Sequence, residues 1–310
     1  MALVKGDLKF KKIELEDLAQ IKQFCSNYEP YSDFNALSIW TYNTKDLAEY
    51  YFYNNNLVIK FTDYLTSEIF LTLLGTTEIG NTLTAVFNYA RENKIDQTLK
   101  LIPEITANIA RQDKNSLEIT EDPDNFDYIF SFESIMKLEG SHYKDERNLC
   151  HNFIKSHPNN QIDVLDINDR KVKTLLSDIY NKWISNKTAL GKDEVEKETE
   201  LTAFNRLLRD AEHFEVVCLG LKVNNEYIAF TISEPIGNGF VMAAFTKADI
   251  NYRGSFQFID QKRAECFYNL GYKFLNLEQD LGIPGLRQAK RSWNPVDYLK
   301  KYVIRSRAWG

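Results

Sequence analysis

A chain of 310 residues, 44% of them apolar and 13% aromatic, is long for one compact core, and two domains are expected. Its formal net charge of −6 argues against blanket nucleic-acid binding, yet the balance is uneven: from Asn251 to Gly310 there are 11 Lys and Arg against 5 Asp and Glu. Cys25, Cys150, Cys218 and Cys266 stand far apart without metal-ligand spacing, no apolar run reaches the ~20 residues of a membrane span, and MALVKGDLKFKK has no signal-peptide core, so a cytoplasmic chain with reduced thiols and no metal is expected.

In chain order, LVKGDLKFKKI opens as a strand. Leu18, Ile21, Cys25 and Tyr28 then follow helical spacing, with Glu16 and Asp17 at the start, where the helix dipole favours acids. YSDFNALSIWTY is aromatic-rich and turns at Tyr31–Asn35. Tyr50–Tyr53 leads through Asn54-Asn55-Asn56 into LVIKF, which pairs with EIFLTLLG. Leu83, Val86, Phe87 and Ala90 mark a helix, LKLIP a strand, Ile105 and Ile109 a short helix after Pro103. SLEITED and FDYIFSF are strands separated by Asp122-Pro123-Asp124. A linker-like helix over Ser141–His157 ends at Pro158.

The second half begins with the strand QIDVLDI, followed by the core-facing stripe Val172, Leu175, Leu176, Ile179 and Trp183. The charge run Asp193–Glu200 reads as the solvated start of a helix continued by Leu201, Phe204, Leu208 and Ala211. FEVVCLGLKVN and EYIAFTISEPI form a hairpin across Asn224-Asn225, GFVMAAFTKA is one more strand, and Ser255–Leu270 is a helix. The halves share one grammar without sequence identity, which predicts a structural duplication in mixed α/β sheets, divided as 1–140 and 141–310.

The stretch FLNLEQDLGIPGLRQAKRSWNP, Phe274–Pro295, concentrates the chemistry. FLNL alternates as a strand, Gly282 breaks it, and Pro284 suits the first turn of a helix. Asn276, Glu278, Gln279 and Asp280 at the strand end thus face Arg287, Lys290 and Arg291 on the helix. Such a cluster at a strand's carboxyl end is a common ligand position in α/β structure. The same residues would also serve as an ion-pair network tying helix to strand. His142, His151, His157 and His213 read as surface or capping residues.

No GxSxG, HExxH, P-loop or dinucleotide fingerprint is present. The strand–turn–helix GFVMAAFTKADINYRGSFQFIDQKRAECF is laid out for an anion at a helix start. It resembles the acyl-CoA loop of GNAT N-acyltransferases, Arg/Gln-x-x-Gly-x-Gly/Ala. Arg253 matches the first position, while Phe256 and Phe258 stand where the glycines belong. That departure counts against acyl-CoA as donor.

The segments YSDFNALSIW, HYKDERNLCHNFIKSHP, NYRGSFQFIDQKRA and FLNLEQDLGIPGLRQAKRSWNP together resemble the phosphatidylglycerol lysyltransferase C-terminal domain family, over residues 31–295. The resemblance implies two tandem GNAT-like domains, related to the FemX-type aminoacyl transferases. It implies transfer of an aminoacyl group from a charged tRNA, with the basic C-terminal part as a docking surface for an RNA phosphate or acceptor end. The lipid-modifying members carry a membrane portion ahead of this domain, which this sequence lacks. A peptide, protein or small-amine acceptor is therefore as open as a lipid head group.

Aminoacyl transfer needs an oriented amine, a base and oxyanion stabilisation. Glu278 or Asp280 would hold the aminoacyl ammonium or act as base, and Asn276 would orient a carbonyl. Arg287 and Lys290 would meet phosphate. Tyr252, Arg253 and Gln257 flank the anion-facing helix start, while Arg147 and Asn148 match the family at the domain junction. Arg147 would otherwise pair with a neighbouring acid such as Asp145. Tyr31, Asp33 and Trp40 match its first-domain segment, Trp40 as core. The competing expectations are an acyl-CoA-dependent N-acyltransferase with an unusual loop, and a non-catalytic tandem module that kept the pocket.

Overall fold

The structure, a computed structural model, describes residues 8–63, 66–112, 116–188 and 194–307. Two compact units emerge: Met1–Phe126 with Leu299–Gly310, and Asp127–Tyr298.

The first unit contains β1 (Lys11–Lys12), α1 (Leu18–Cys25), α2 (Ala36–Tyr42), β2 (Glu49–Tyr53), β3 (Asn56–Thr62), β4 (Ile69–Leu74), α3 (Ile79–Glu92), β5 (Thr98–Pro103), α4 (Glu104–Ala110) and β6 (Leu117–Glu121). The opening strand was expected to be longer; its part before Leu8 lies outside the described residues. The second unit contains β7 (Asp127–Ser131), α5 (Phe132–Lys137), α6 (Lys144–Ser156), β8 (Asn160–Leu165), α7 (Arg170–Thr188), α8 (Glu194–Arg209), β9 (Val217–Val223), β10 (Glu226–Gly237), β11 (Phe240–Ala248), α9 (Ser255–Asn269), β12 (Phe274–Asn276), α10 (Pro284–Ser292) and all but the last residue of β13 (Asp297–Leu299). Asp193, the first residue of the expected charge run, is outside the described residues. A last strand, β14 (Lys301–Ser306), returns to the first unit.

The two seven-stranded sheets have matching orders, β1-β2-β3-β4-β5-β14-β6 and, from its other edge, β8-β9-β10-β11-β12-β7-β13. In each, four antiparallel strands lead to a parallel pair, β4 with β5 and β11 with β12. This is the tandem GNAT-like architecture. The position beyond the parallel pair is filled by β14 in one sheet and by β7 in the other. That pairing is why the division falls at Phe126/Asp127, ahead of the boundary expected at residue 140, and why the chain's end belongs to the first unit. Sequence periodicity does not register it, because β7 and β14 are short and take their partners from distant segments.

The hairpins follow from turn chemistry. Asn54-Asn55 (φ 48° and 56°), Asn224-Asn225 (φ 49° and 73°) and Asn238-Gly239 (φ 51° and 78°) supply the paired left-handed residues that match strand twist. In the first unit Val58, Leu71, Leu73, Val86, Leu99 and Ile304 close one core. Trp40 is buried, as expected. Asp33 and Tyr31 are tied into this unit. Fully buried Lys301 pairs with the Asp33 carboxylate and donates to Ser32 Oγ at 3.2 Å. Tyr31 Oη accepts from the Glu104 N–H at 3.1 Å.

In the second unit α9 covers one sheet face through Phe258, Ile259, Ala264 and Phe267. Phe204 of α8 stacks on Phe230 of β10 at 5.5 Å and meets Phe245 of β11 edge-on at 5.4 Å. Each such ring contributes about 1.5–3 kcal/mol by burial. Gly254 starts α9 with φ 91°, and a Cβ there would lie 2.5 Å from the Leu149 carbonyl oxygen, so only glycine lets α6 approach. Among the described residues no helix is long and apolar enough to cross a membrane.

Candidate active site

β12 is only three residues long, so its pairing with β11 stops at Asn276 opposite Met242, while β11 runs on to Ala248. The chain past β12 stays with β7: Leu277 N donates to Tyr128 O at 3.0 Å and Tyr128 N to Glu278 O at 3.2 Å. The two parallel strands thus separate, and the loop at the parting carries the expected residues.

Glu278 is half-buried and left-handed, with φ 57°. A glutamate enters that region at a cost of about 1–3 kcal/mol, so the surroundings must impose it. Two of them do. Asn276, fully buried, accepts from Glu278 N at 2.7 Å through Oδ1 and donates to Asp127 Oδ2 at 3.2 Å. Lys290, also buried, reaches back from α10 to donate to the carbonyls on either side of Glu278, Leu277 O and Gln279 O, each at 2.6 Å. Asn276 was expected to orient a substrate carbonyl and Lys290 to meet phosphate. In the structure Lys290 engages this loop, and Asn276 engages the Glu278 N–H and Asp127 of β7.

Asp280 is fully buried. Arg287 grips it with a fork, Nε to Oδ2 at 2.8 Å and Nη2 to Oδ1 at 2.7 Å. Tyr128 Oη donates to Oδ2 at 2.5 Å and Gly282 N to Oδ1 at 2.9 Å. Burial disfavours the charged carboxylate, but the bonds from Arg287, Tyr128 and Gly282 together outweigh it and hold the Asp280 pKa below the usual range. A carboxylate so engaged is a poor base; Asp280 is better described as the anchor that aims Arg287. Burial first, and then the bond to Asp280, push the Tyr128 hydroxyl pKa up.

Beside the Asp280–Arg287 pair lies a shallow, open depression of about 580 Å³, lined by Gly282, Pro284, Arg287, Gln288, Arg291 and Ser292.

The remaining expected residues sit on α6 and at the α9 start. Among the described residues no hydrogen bond or ion pair links them to the Asp280 cluster. Arg147, expected at the substrate, donates through Nη1 to Leu138 O and, at 3.0 Å, to Gly140 O, closing the end of α5. Asn148 is exposed. Arg253 is exposed and Gln257 half-buried. Tyr252 packs its ring 5.2 Å from His157. Sequence reasoning missed Tyr128 and Asp127, which lie about 150 positions away from their partners Asp280 and Asn276. The only signal was a polar pair, Asp127-Tyr128, opening an otherwise apolar strand.

The chain is similar in fold to several solved structures. A conserved protein of unknown function from Bacteroides thetaiotaomicron shares 23% identity at a TM-score of 0.83, covering 96% of this chain and 99% of that one. L-PGS from Bacillus licheniformis shares 14% identity at a TM-score of 0.61, covering 95% and 93%. No curated protein matches the sequence. The family described as phosphatidylglycerol lysyltransferase, C-terminal, matches residues 29–305, nearly the whole length, and the chain belongs to that family.

Proposed function

We propose that the second unit catalyses aminoacyl transfer from a charged tRNA to an amine or hydroxyl acceptor, with Glu278 as the catalytic carboxylate. The observation that carries this reading is the clamp on Glu278. Asn276 and Lys290 hold a left-handed glutamate at the parting of β11 and β12, and such imposed strain gathers where a side chain must be aimed. The acceptor attacks the ester carbonyl, Glu278 takes its proton, and the ribose oxygen leaves with a proton returned to it. Arg287, fixed by Asp280, which Tyr128 anchors in turn, supplies positive charge on the donor side.

An aminoacyl ester is favoured over acyl-CoA by the start of α9. Phe258 is buried there, its ring 4.9 Å from Phe153, and Phe256 packs against the same cluster, so side chains fill the place where a pyrophosphate cradle needs bare backbone. A lipid head group, a peptide and a small amine all remain within the acceptor class. A second reading, ligand binding without turnover, is favoured by one observation: Asp280 is wholly spent on internal bonds.

The test is loss of the radiolabelled aminoacyl group from charged tRNA in the presence of amine, peptide and phospholipid acceptors, run beside the same acceptors with acyl-CoA. Transfer from the tRNA ester alone supports the proposal; transfer from acyl-CoA alone replaces its donor.

A further inference from the structure

A second polar cluster lies beneath α9, on residues that take no part in the proposed transfer. Arg263, in the middle of α9, is 1% exposed, and an arginine is almost never fully buried without partners. Its Nη1 donates to Thr231 Oγ1 of β10 at 3.0 Å and to Thr246 Oγ1 of β11 at 3.1 Å. Those threonines are cross-strand partners whose hydroxyls lie 3.0 Å apart. Its Nη2 pairs at 2.8 Å with Asp260 Oδ1, one helical turn back. The charge is thus neutralised, but Nε is buried with no hydrogen-bond partner among the described residues.

Ser233 Oγ of β10, on a fully buried residue, is in the same condition. Ser233 lies two residues along β10 from Thr231. It is paired with Ala243, which belongs to the core that α9 closes with Ala264 and Phe267, so Ser233 faces α9. Between the two pairings the register slips by one residue, Ala244, and such a slip bends the strands. Asp260 Oδ1 is also buried and has a lone pair left beyond its ion pair.

We propose that an ordered water molecule is bound between α9 and β10, accepting from Arg263 Nε–H and the Ser233 hydroxyl and donating to Asp260 Oδ1. A buried water makes about three hydrogen bonds to polar groups that would otherwise lack them, and this set offers two donors and one acceptor. An anion would meet the Asp260 carboxylate, and a cation the guanidinium, in an interior where like charges repel strongly. The bound water then ties α9 to β10 beside the bulge. None of these residues belongs to the transfer reading, so the two stand or fall separately.

The test is a crystal structure of the full chain, with and without a bromide soak. A water peak should lie within about 2.7–3.2 Å of both Arg263 Nε and Ser233 Oγ. In Ser233→Ala the peak should be lost or displaced and Tm should fall by about 2 °C or more, while Ser233→Thr, which restores a hydroxyl, should recover most of that loss. A protein carbonyl on Arg263 Nε, or no density beside it, overturns the proposal. An anomalous bromide peak at that position also overturns it and makes the ligand a halide. A water on Nε that stays unmoved in Ser233→Ala removes the bridge and overturns it as well. If Ser233→Ala does not fold, the parent structure decides by itself.

Discussion

Leu101 and Glu278 occupy the same place in two sheets. Each lies two residues beyond a parallel-paired residue, Leu99 opposite Leu71 and Asn276 opposite Met242, and each is left-handed, at φ 58° and 57°. The likeness extends outward. Tyr302 on β14 lies 3.0 Å from Glu104, as Tyr128 on β7 lies 2.5 Å from Asp280. An arginine follows each acid by seven positions: Arg111, stacked 4.5 Å over the Tyr302 ring, and Arg287, forked onto Asp280. Each sheet thus has a left-handed residue two places beyond a parallel-paired one. In the first unit it is leucine, which has no proton chemistry; in the second it is glutamate.

If the left-handed backbone at Glu278 is strain held for activity, Glu278→Gly should relieve it. The variant is expected to be as stable as the parent, or more stable by up to about 1 kcal/mol, while transfer is lost. Chemical denaturation beside a transfer assay measures both. A destabilisation beyond about 2 kcal/mol would mean that the side chain is there for packing.

If Glu278 is the base, Lys290 acts through it, by holding the carbonyls on either side. Lys290→Met keeps the buried stem but leaves Leu277 O and Gln279 O without their ammonium donor. Stability should fall by about 1–3 kcal/mol. The turnover rate should fall by about tenfold or more while the KM for charged tRNA changes little, because the carboxylate is misplaced and the donor surface is intact. A pure KM effect would instead place Lys290 on the donor.

Asp280 sets an acid limit on stability. Its folded pKa lies below the ordinary value, so its contribution is complete above the unfolded pKa of about 3.9 and is lost as pH falls through the folded value. Asp280→Asn should be roughly 2–4 kcal/mol less stable at neutral pH, since Arg287 and Tyr128 lose a charged partner. The gap between variant and parent should narrow below about pH 4. Unfolding midpoints against pH test this; a gap that widens on acidification has the wrong sign.

Much of this was legible in residues that act locally. The Asn-Asn turns announced two hairpins, and Gly282 with Pro284 announced the break between β12 and α10. The clustering of Asn276, Glu278, Asp280, Arg287 and Lys290 was visible because all sit within one strand–turn–helix. Their division of labour was not. Lys290 and Arg291 are neighbours in sequence with the same charge, yet one is buried on carbonyls and the other is exposed. Only the path of the backbone before α10 distinguishes them. Tyr128 could not be assigned to Asp280 from sequence, because β7 reaches β12 by a pairing that leaves no periodic trace. The same holds for β14, whose apolar residues resemble any short strand but whose place is between β5 and β6.

The most direct measurement is the single-turnover rate of aminoacyl transfer from charged tRNA by the parent and by Glu278→Gln, which keeps the side chain's size and removes its basicity. The account predicts a rate lower by about 10²–10⁴-fold in the variant, with thermal stability unchanged. A variant rate within about threefold of the parent would contradict it, because loss of a general base costs far more than that.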